Sequence, residues 1–494
     1  MKPFNKWLII ASVLLGMHLI FRLIDQAKMM TYFPLDFTND ISSYMAQLHF
    51  LKVCGFHQFC PYWYNGFTTF QFSPPGWYFF AYPLSLIFNS VQVAAYLSIV
   101  ISLIAAFFLF LKLGKTASLS RIKSIAFFFL FFANASAIGN FIRLGRVHEL
   151  LSWVLFIPFF FLIYYYHDKP IDKKFFLVIP LYASIILTYH STAVLAGLVW
   201  LGFFFIRKTS KEVLKGIFAL LVSFLFTSFW LVPFVMGVFQ NSTIPQLKQG
   251  TWIWNPALNN LSINLSVLLI PLAFLILFFL FYKNGNAIRS NFLFFMPAAI
   301  FTLLFFLRLT PFLPVFDQIY PDPIVHFILF FAIFFFLKME IPTGKIKQFS
   351  ALLIIIVIAS ISLNIIYTPL FKIPNSEREK EFISYLPLIE DRFVITGKFP
   401  PEPYAKAFYS FAATKNKSSI SGWYPEEKSS EYISRLANVN RAIDNNNCEE
   451  FKQELRYFNT TEVLSTKEYC ERLRNCNLNE VSTKTETCFY NLQS

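Results

Sequence analysis

The chain has 494 residues, of which 56% are hydrophobic, 20% aromatic and only 14% charged, against about 25% charged in an ordinary soluble protein. That shortfall excludes a soluble enzyme. The formal net charge of +14 does not point to nucleic acid, because the basic residues sit between apolar runs, where they read as anchors on one side of a membrane, and no nucleic-acid partner is expected. Glycine, at 16 residues, is scarce for a transporter, whose helix crossings and breaks favour it.

In chain order, apolar stretches suited to a hydrocarbon core ~30 Å thick predict about 11 transmembrane helices. They lie at 7–24, 91–111, 124–141, 150–166, 174–189, 192–206, 213–238, 263–282, 291–307, 324–337 and 349–367. The first follows Lys2 and Lys6 and lacks a small-x-small cleavage site before Asp25, so it reads as a retained signal anchor. A long loop, 25–75, follows. The segment PPGWYFFAYPLSLIF is apolar but short and interrupted by proline, and it reads as an interfacial or re-entrant helix over 76–88. This arrangement gathers eighteen Lys and Arg residues on one side of the membrane part and seven on the other. The richer side is the cytoplasm by the positive-inside bias. The N-terminus is then cytoplasmic and everything after residue 373 extracytoplasmic, in a multi-pass protein of the cell membrane.

The chain therefore divides into a transmembrane domain, 1–373, and a soluble domain, 374–494, in which hydrophobic runs stop and Asn, Ser, Glu and Lys dominate. The tail reads as a small mixed α/β domain, with a strand at 392–396, a turn around Pro400, Pro401 and Pro403, and helices near 429–442 and 449–457. Cys448, Cys470, Cys476 and Cys488 lie in the tail, and Cys54 and Cys60 in the first outer loop. An even number confined to the oxidising side predicts disulfides. One joins Cys54 to Cys60, and two lie in the tail with pairing open. A zinc site is disfavoured, since the tail has neither a C-x-x-C pair nor a histidine.

Ionisable groups on the outer side are candidates for chemistry on a phosphate-bearing substrate: Asp25, Asp36, Asp40, Glu149, Asp317 and Asp322, with Arg143, Arg146, His148, Arg308 and His326. Asp40 precedes an amphipathic stretch with Ile41, Tyr44, Met45, Leu48 and Leu51 on one face, and it is also the expected N-cap. An acid after the first membrane helix, Tyr44 four residues later, Gly55, the aromatic PYWYNG with Trp63 and Gly66, and then Pro74 and Pro75 opening an apolar helix form one pattern. That pattern resembles the first outer loop of C-type (GT-C) membrane glycosyltransferases. The chain is most similar in appearance to the membrane proteins called 6-pyruvoyl-tetrahydropterin synthase-related. LGRVHELLSWVLFIPFFF and LTYHSTAVLAGL add to the likeness, which covers about the first 210 residues. Where many relatives carry a His after the acid, this chain has Ile41, Ser42 and Ser43.

The resemblance implies an all-α polytopic fold, a polyprenyl-phosphate sugar donor held among membrane lipids, and a glycan, lipid or protein acceptor. A sugar on a lipid phosphate already has a good leaving group, so the catalyst must deprotonate the acceptor hydroxyl and stabilise the departing phosphate. Asp40 is the expected general base. Asp36 is a second acid that tunes Asp40 or shares a divalent cation, Mg or Mn, with it. Arg143 and Arg146 are phosphate ligands on one face if their turn is helical, Arg308 is a further phosphate candidate, and His148 and Glu149 orient the arginines or touch the sugar. Tyr44 and Trp63 complete the substrate-binding set. Blander roles stand beside these: capping by Asp40, Asp317 and Asp322, interfacial anchoring by the arginines, an aromatic belt at Tyr62, Trp63 and Tyr64, and backbone satisfaction by His190 and His326. The alternative function is a non-catalytic scaffold or lipid-linked glycan transporter of the same architecture.

Overall fold

A computed structural model describes residues 3–35, 40–240, 261–283, 289–313, 315–316, 319–371, 376–397, 403–423, 425 and 428–492. Every apolar stretch expected to cross is helical. The helices run Pro3–Gln26, Val91–Leu113, Arg121–Phe132, Val147–Tyr165, Val178–Thr188, His190–Ile206, Ser210–Gln240, Leu261–Lys283, Arg289–Phe306, Pro321–Lys338 and Ile346–Tyr367. Seven are long and apolar enough to span on their own, and the protein is a multi-pass membrane protein. Arg121–Phe132 and Ala135–Arg143 are together long and apolar enough for an eighth span, and they meet at a bend of 51°. Asn134 makes the break. Its side chain accepts from Ala137 N at 3.0 Å and donates to the Leu130 and Phe131 carbonyls, so backbone groups freed by the bend are satisfied without water. Val178–Thr188, His190–Ile206 and Arg289–Phe306 are shorter, at 11, 17 and 18 residues.

The described chain forms two compact units. The membrane unit comprises Met1–Gln26, Leu97–Leu231 and Pro245–Pro369. Its centre is the pair Val147–Tyr165 and Pro321–Lys338, each 78% buried, whereas Ser266–Lys283 and Ile346–Tyr367 are 22% buried and present most of their surface to lipid. Lipid is as apolar as leucine, so helices associate through close packing rather than exclusion from water. Phenylalanine does that work here. Phe330 meets Phe127, Phe156 and Phe160 at centroid distances of 5.0, 5.2 and 5.0 Å, two of them edge to face, the arrangement that ring quadrupoles favour.

The second unit comprises Ala27–Tyr96, Val232–Ile244 and Leu370–Ser494. In the first loop, helix Ile41–Val53 leads into a short antiparallel hairpin, β1 (Phe59–Cys60) with β2 (Phe67–Thr68), and Cys54 is bonded to Cys60 as expected. Helix Gly76–Phe88 follows, 13 residues long with Pro83 inside it. The tail is mixed α/β as read from its composition. Four strands, β3 (Phe393–Thr396), β4 (Glu462–Thr466), β5 (Asn479–Thr483) and β6 (Thr487–Asn491), stand in the order β3-β4-β6-β5, with β3 parallel to β4 and the other pairs antiparallel. Helices Ser430–Asp444, Cys448–Tyr457 and Lys467–Asn475 cover the sheet through a core that includes Val394, Ile443, Phe451 and Tyr490. The tail disulfides pair Cys448 with Cys476 and Cys470 with Cys488. Pro403, expected in a turn, begins helix Pro403–Ala413, since proline at the first helical position loses no hydrogen bond. Pro400 and Pro401 lie outside the described residues.

Loop and tail share a core. Phe50, Trp63, Tyr64 and Phe67 of the loop cluster with Ala413, Trp423 and Tyr432 of the tail. Hydrogen bonds sew the two together: Ser419 N donates to Tyr62 O at 3.1 Å and the Asn65 side chain, through Nδ2, to Phe458 O at 2.8 Å. Gly422 sits where a Cβ would stand 2.6 Å from the Trp63 ring. Gly422→Ala should therefore destabilise the protein by ~1–3 kcal/mol through overpacking, seen as a lower thermal midpoint of the purified full chain; an unchanged midpoint would mean that Trp63 yields at no cost.

Candidate functional site

In the second unit, Asp40 stands directly before helix Ile41–Val53 with helical φ and ψ of −72° and −18°, and its side chain makes no capping bond to the first turn. The cap is supplied otherwise. The Asp40 carbonyl accepts from Ser43 N at 3.1 Å and from Ser43 Oγ at 2.7 Å, so the carboxylate is not spent on ending the helix. Tyr44, on the next turn, is buried with its ring 6.0 Å from Trp77. Trp63 is 0% exposed: Phe50 stands edge-on at 4.9 Å, Phe67 stacks at 5.9 Å, and Nε1 donates to the Tyr409 carbonyl at 3.4 Å. That burial leaves no ring face for a sugar, and Trp63 acts instead as the peg joining loop to tail. Asp36 lies outside the described residues, as does Asp317. Among the described residues no group of three His, Cys, Asp or Glu side chains could hold a metal ion, and no chemistry below is routed through one.

In the membrane unit, Arg143 and Arg146 do not share a helical face. The chain over Ile138–Arg143 is a π-helical turn, Gly145 takes a left-handed φ of 66°, and Arg146 stands at the start of Val147–Tyr165. The condition for a shared face, a continuous helix, is broken at Gly145, whose missing Cβ permits that φ. Arg143 is buried and donates from Nε to the Pro369 carbonyl at 2.9 Å. Arg146 is half-buried and bonds Asp322 Oδ2 through Nη1 at 2.7 Å, with Glu149 Oε2 at 3.9 Å.

Behind Arg146 the network continues inward. Glu149 and His326 are both 0% exposed, and Glu149 Oε1 lies 3.4 Å from His326 Nδ1 and accepts from Trp153 Nε1 at 3.3 Å. His326 Nδ1 is also 2.9 Å from the Asp322 carbonyl. A carbonyl only accepts, so Nδ1 carries the proton. Among the described residues Glu149 Oε2 and His326 Nε2 have no hydrogen-bond partner. Phe131, Phe141 and Trp153 ring the imidazole. His148 points elsewhere, with Nδ1 3.2 Å from the Thr188 carbonyl at the break between Val178–Thr188 and His190–Ile206. Arg308 is exposed just beyond Arg289–Phe306 with a left-handed φ of 63°, a conformation that costs a non-glycine residue energy.

The structure adds partners that sequence reading missed. Asp322 and His326, named as outer-face candidates with capping and backbone satisfaction as their blander roles, prove to share a network with Arg146. The signal was available in their spacing, since residues four apart share a helical face. Arg22, counted as a loop anchor, is buried and donates through Nη2 to the Asn364 and Thr368 carbonyls at 2.9 and 2.8 Å. It lies close enough to Asp25 and Arg143 to feel both charges, and His18 Nε2 meets Asn364 Oδ1 at 2.9 Å. Ionisable groups within an apolar run are themselves a sign of such a network.

No protein-family model and no curated protein sequence matches the chain. Solved structures do. The arabinofuranosyltransferase AftD from Mycobacteria aligns with a TM-score of 0.58 at 13% identity over 99% of this chain, which spans 40% of AftD. The Archaeoglobus fulgidus oligosaccharyltransferase AglB, solved with an inhibitory peptide and a dolichol-phosphate, aligns at 0.55 and 11% identity over 94% of this chain and 70% of its own. ArnT from Cupriavidus metallidurans aligns at 0.53 and 11% identity over 97% of both chains. The chain has the GT-C fold. Within that fold, Arg146 and Glu149 form a buried-charge pair that a double substitution can expose. Arg146→Ala removes the ion-pair partner of Asp322 and the cation nearest Glu149 Oε2 and should cost ~1–3 kcal/mol of stability. Adding Glu149→Gln should recover part of the loss; equal thermal midpoints for the single and double variants would show that the two side chains are not coupled.

Proposed function

We propose that the protein is an integral-membrane glycosyltransferase that transfers a sugar from a polyprenyl-phosphate-linked donor to an acceptor at the extracytoplasmic face. The observation that carries this reading is a GT-C fold aligned over nearly the whole chain, with an acid, Asp40, at the head of the first-loop helix. Fold alone does not give function. The site groups add chemistry. Asp40 takes the proton of the acceptor hydroxyl as its oxygen attacks the anomeric carbon; the bond from that carbon to the phosphate oxygen breaks, and the phosphate leaves with the electron pair. Arg143 and Arg146 supply charge for that phosphate, and Arg308 is a third candidate. A lipid-phosphate donor is supported by the dolichol-phosphate bound to AglB. Asp36 is kept as the second acid.

The reading places the N-terminus in the cytoplasm and the tail outside, in keeping with three disulfides that need an oxidising compartment. The tail then shapes the loop that carries Asp40 and helps hold the acceptor. The likeness of the first 210 residues to 6-pyruvoyl-tetrahydropterin synthase-related membrane proteins is part of the same proposal.

Asp40→Asn should abolish sugar transfer to below about a hundredth of the parent rate, the lower bound usual for loss of a general base, with an unchanged thermal midpoint. Full activity in that variant would leave the scaffold or transporter reading in its place. For the phosphate role, Arg146→Ala combined with Glu149→Gln should raise KM for the lipid-linked donor more than for the acceptor. Equal effects on both substrates would remove Arg146 from the donor site.

A further inference from the structure

A cavity of ≈240 Å³ in the second unit is lined by Tyr32, Phe33, Gln92, Ile383, Phe411 and Lys415, with Thr31 at its edge. Two of its walls are the ends of membrane spans. Thr31 follows the span Phe4–Met30 directly, and Gln92 lies in the first turn of the span Val91–Ala117. A cavity built on those residues lies where the helices leave the hydrocarbon, the depth of lipid headgroups. Gln92 Nε2 ties the two ends together by donating to the Met29 carbonyl at 3.0 Å.

The lining has a distinct polarity. Its floor is apolar, with Phe33 and Phe411 ring to ring at 4.9 Å. Its rim carries Thr31 and Tyr32, the latter 38% exposed, together with the exposed Lys415, the one charged residue in the lining. Lys415 Nζ sits 5.7 Å over the Phe411 ring. A second lysine and a histidine stand close by. His49 Nε2 bonds Asn416 Oδ1 at 2.8 Å, and Lys52 Nζ donates to Asn89 Oδ1 at 3.2 Å. Burial holds the His49 pKa below its ordinary value against that hydrogen bond, and the positive charges of Lys52 and Lys415 add to the fall. Helix Gly76–Phe88, which ends beside Asn89, exposes Phe79, Leu86, Ile87 and Phe88, Ile87 by 73%. An apolar helix face with cations at its end suits the boundary between acyl chains and anionic headgroups.

We propose that this cavity holds the phosphate headgroup of an anionic membrane phospholipid, with Lys415 facing the phosphate and the Tyr32 hydroxyl donating to one of its oxygens. It is built from none of the residues proposed to handle the sugar donor. The bound lipid joins the first loop to tail helices Glu377–Tyr385 and Pro403–Ala413 through a ligand that only a membrane supplies.

The test uses the purified full-length protein in detergent, titrated separately with short-chain phosphatidylglycerol, phosphatidylcholine and a polyprenyl monophosphate, with occupancy read by native mass spectrometry and the thermal midpoint in parallel. Phosphatidylglycerol should bind and raise the midpoint, and phosphatidylcholine should do so less. Lys415→Met should weaken phosphatidylglycerol about fivefold, the worth of one basic residue at an anionic surface, and Lys415→Glu should weaken it further. Because Lys415 is exposed, both variants should match the parent midpoint without lipid. Unchanged affinity in Lys415→Glu, or equal binding of the two phospholipids, would overturn the proposal. So would competition in which polyprenyl phosphate displaces phosphatidylglycerol in a Lys415-dependent way, since that assigns the cavity to the donor.

Discussion

A charge inside an apolar bundle has no water to turn to, so it is stable only where protein groups meet it. The membrane unit is organised around that constraint. Arg146 reaches Asp322 on a helix nearly two hundred residues away in sequence, Glu149 lies behind it, and His326 closes the chain against an aromatic wall. The same constraint sets Arg22 and Arg143 against carbonyl groups at the end of Ile346–Tyr367 and just beyond it. These groups sit where helices end or break: at the π-turn before Arg143, at Gly145, and at the start of Pro321–Lys338. Helix ends offer unsatisfied carbonyls and amides, so the polar network and the breaks in the helices are one feature. Phenylalanine fills much of the rest, its rings packing the most buried helices together.

The second unit solves a different problem. A loop of roughly fifty residues is small for an independent hydrophobic core, whereas the tail has one of its own beneath its sheet. The loop shares a second core with the tail, with Trp63 as its peg and Phe50, Phe67, Ala413 and Tyr432 around it, and the three disulfides are built into these cores. This explains why an aromatic-rich loop is ordered at all. It also changes what the aromatics are for: Trp63, well suited by type to stack on a sugar, is consumed in holding the helix that begins at Asp40 against the tail.

Much of this was legible in one dimension. Hydropathy located every membrane helix because transfer of an apolar segment from water to lipid is a local property, summed residue by residue. Composition marked off the tail but assigned the first loop to the membrane part, whereas loop and tail fall in one compact unit; cysteine count and placement predicted disulfides. Strand Phe393–Thr396 and helices Ser430–Asp444 and Cys448–Tyr457 followed from local pattern. Strands β4, β5 and β6 were not seen: β5 is polar and almost wholly exposed and reads as loop, while β4 and β6 are buried runs of only five residues that include Glu, Ser, Thr or Asn.

The sequence by itself determined that this is a multi-span membrane protein with a stapled soluble part, and it singled out Asp40, Arg143 and Arg146, since charges in or beside apolar runs are conspicuous wherever the chain later takes them. Tertiary structure alone decided which charge meets which. The pairing of Arg146 with Asp322, the cage around His326, the burial of Trp63 and the merging of first loop with tail depend on contacts between distant segments. Such contacts follow from packing geometry, which no local period or spacing encodes.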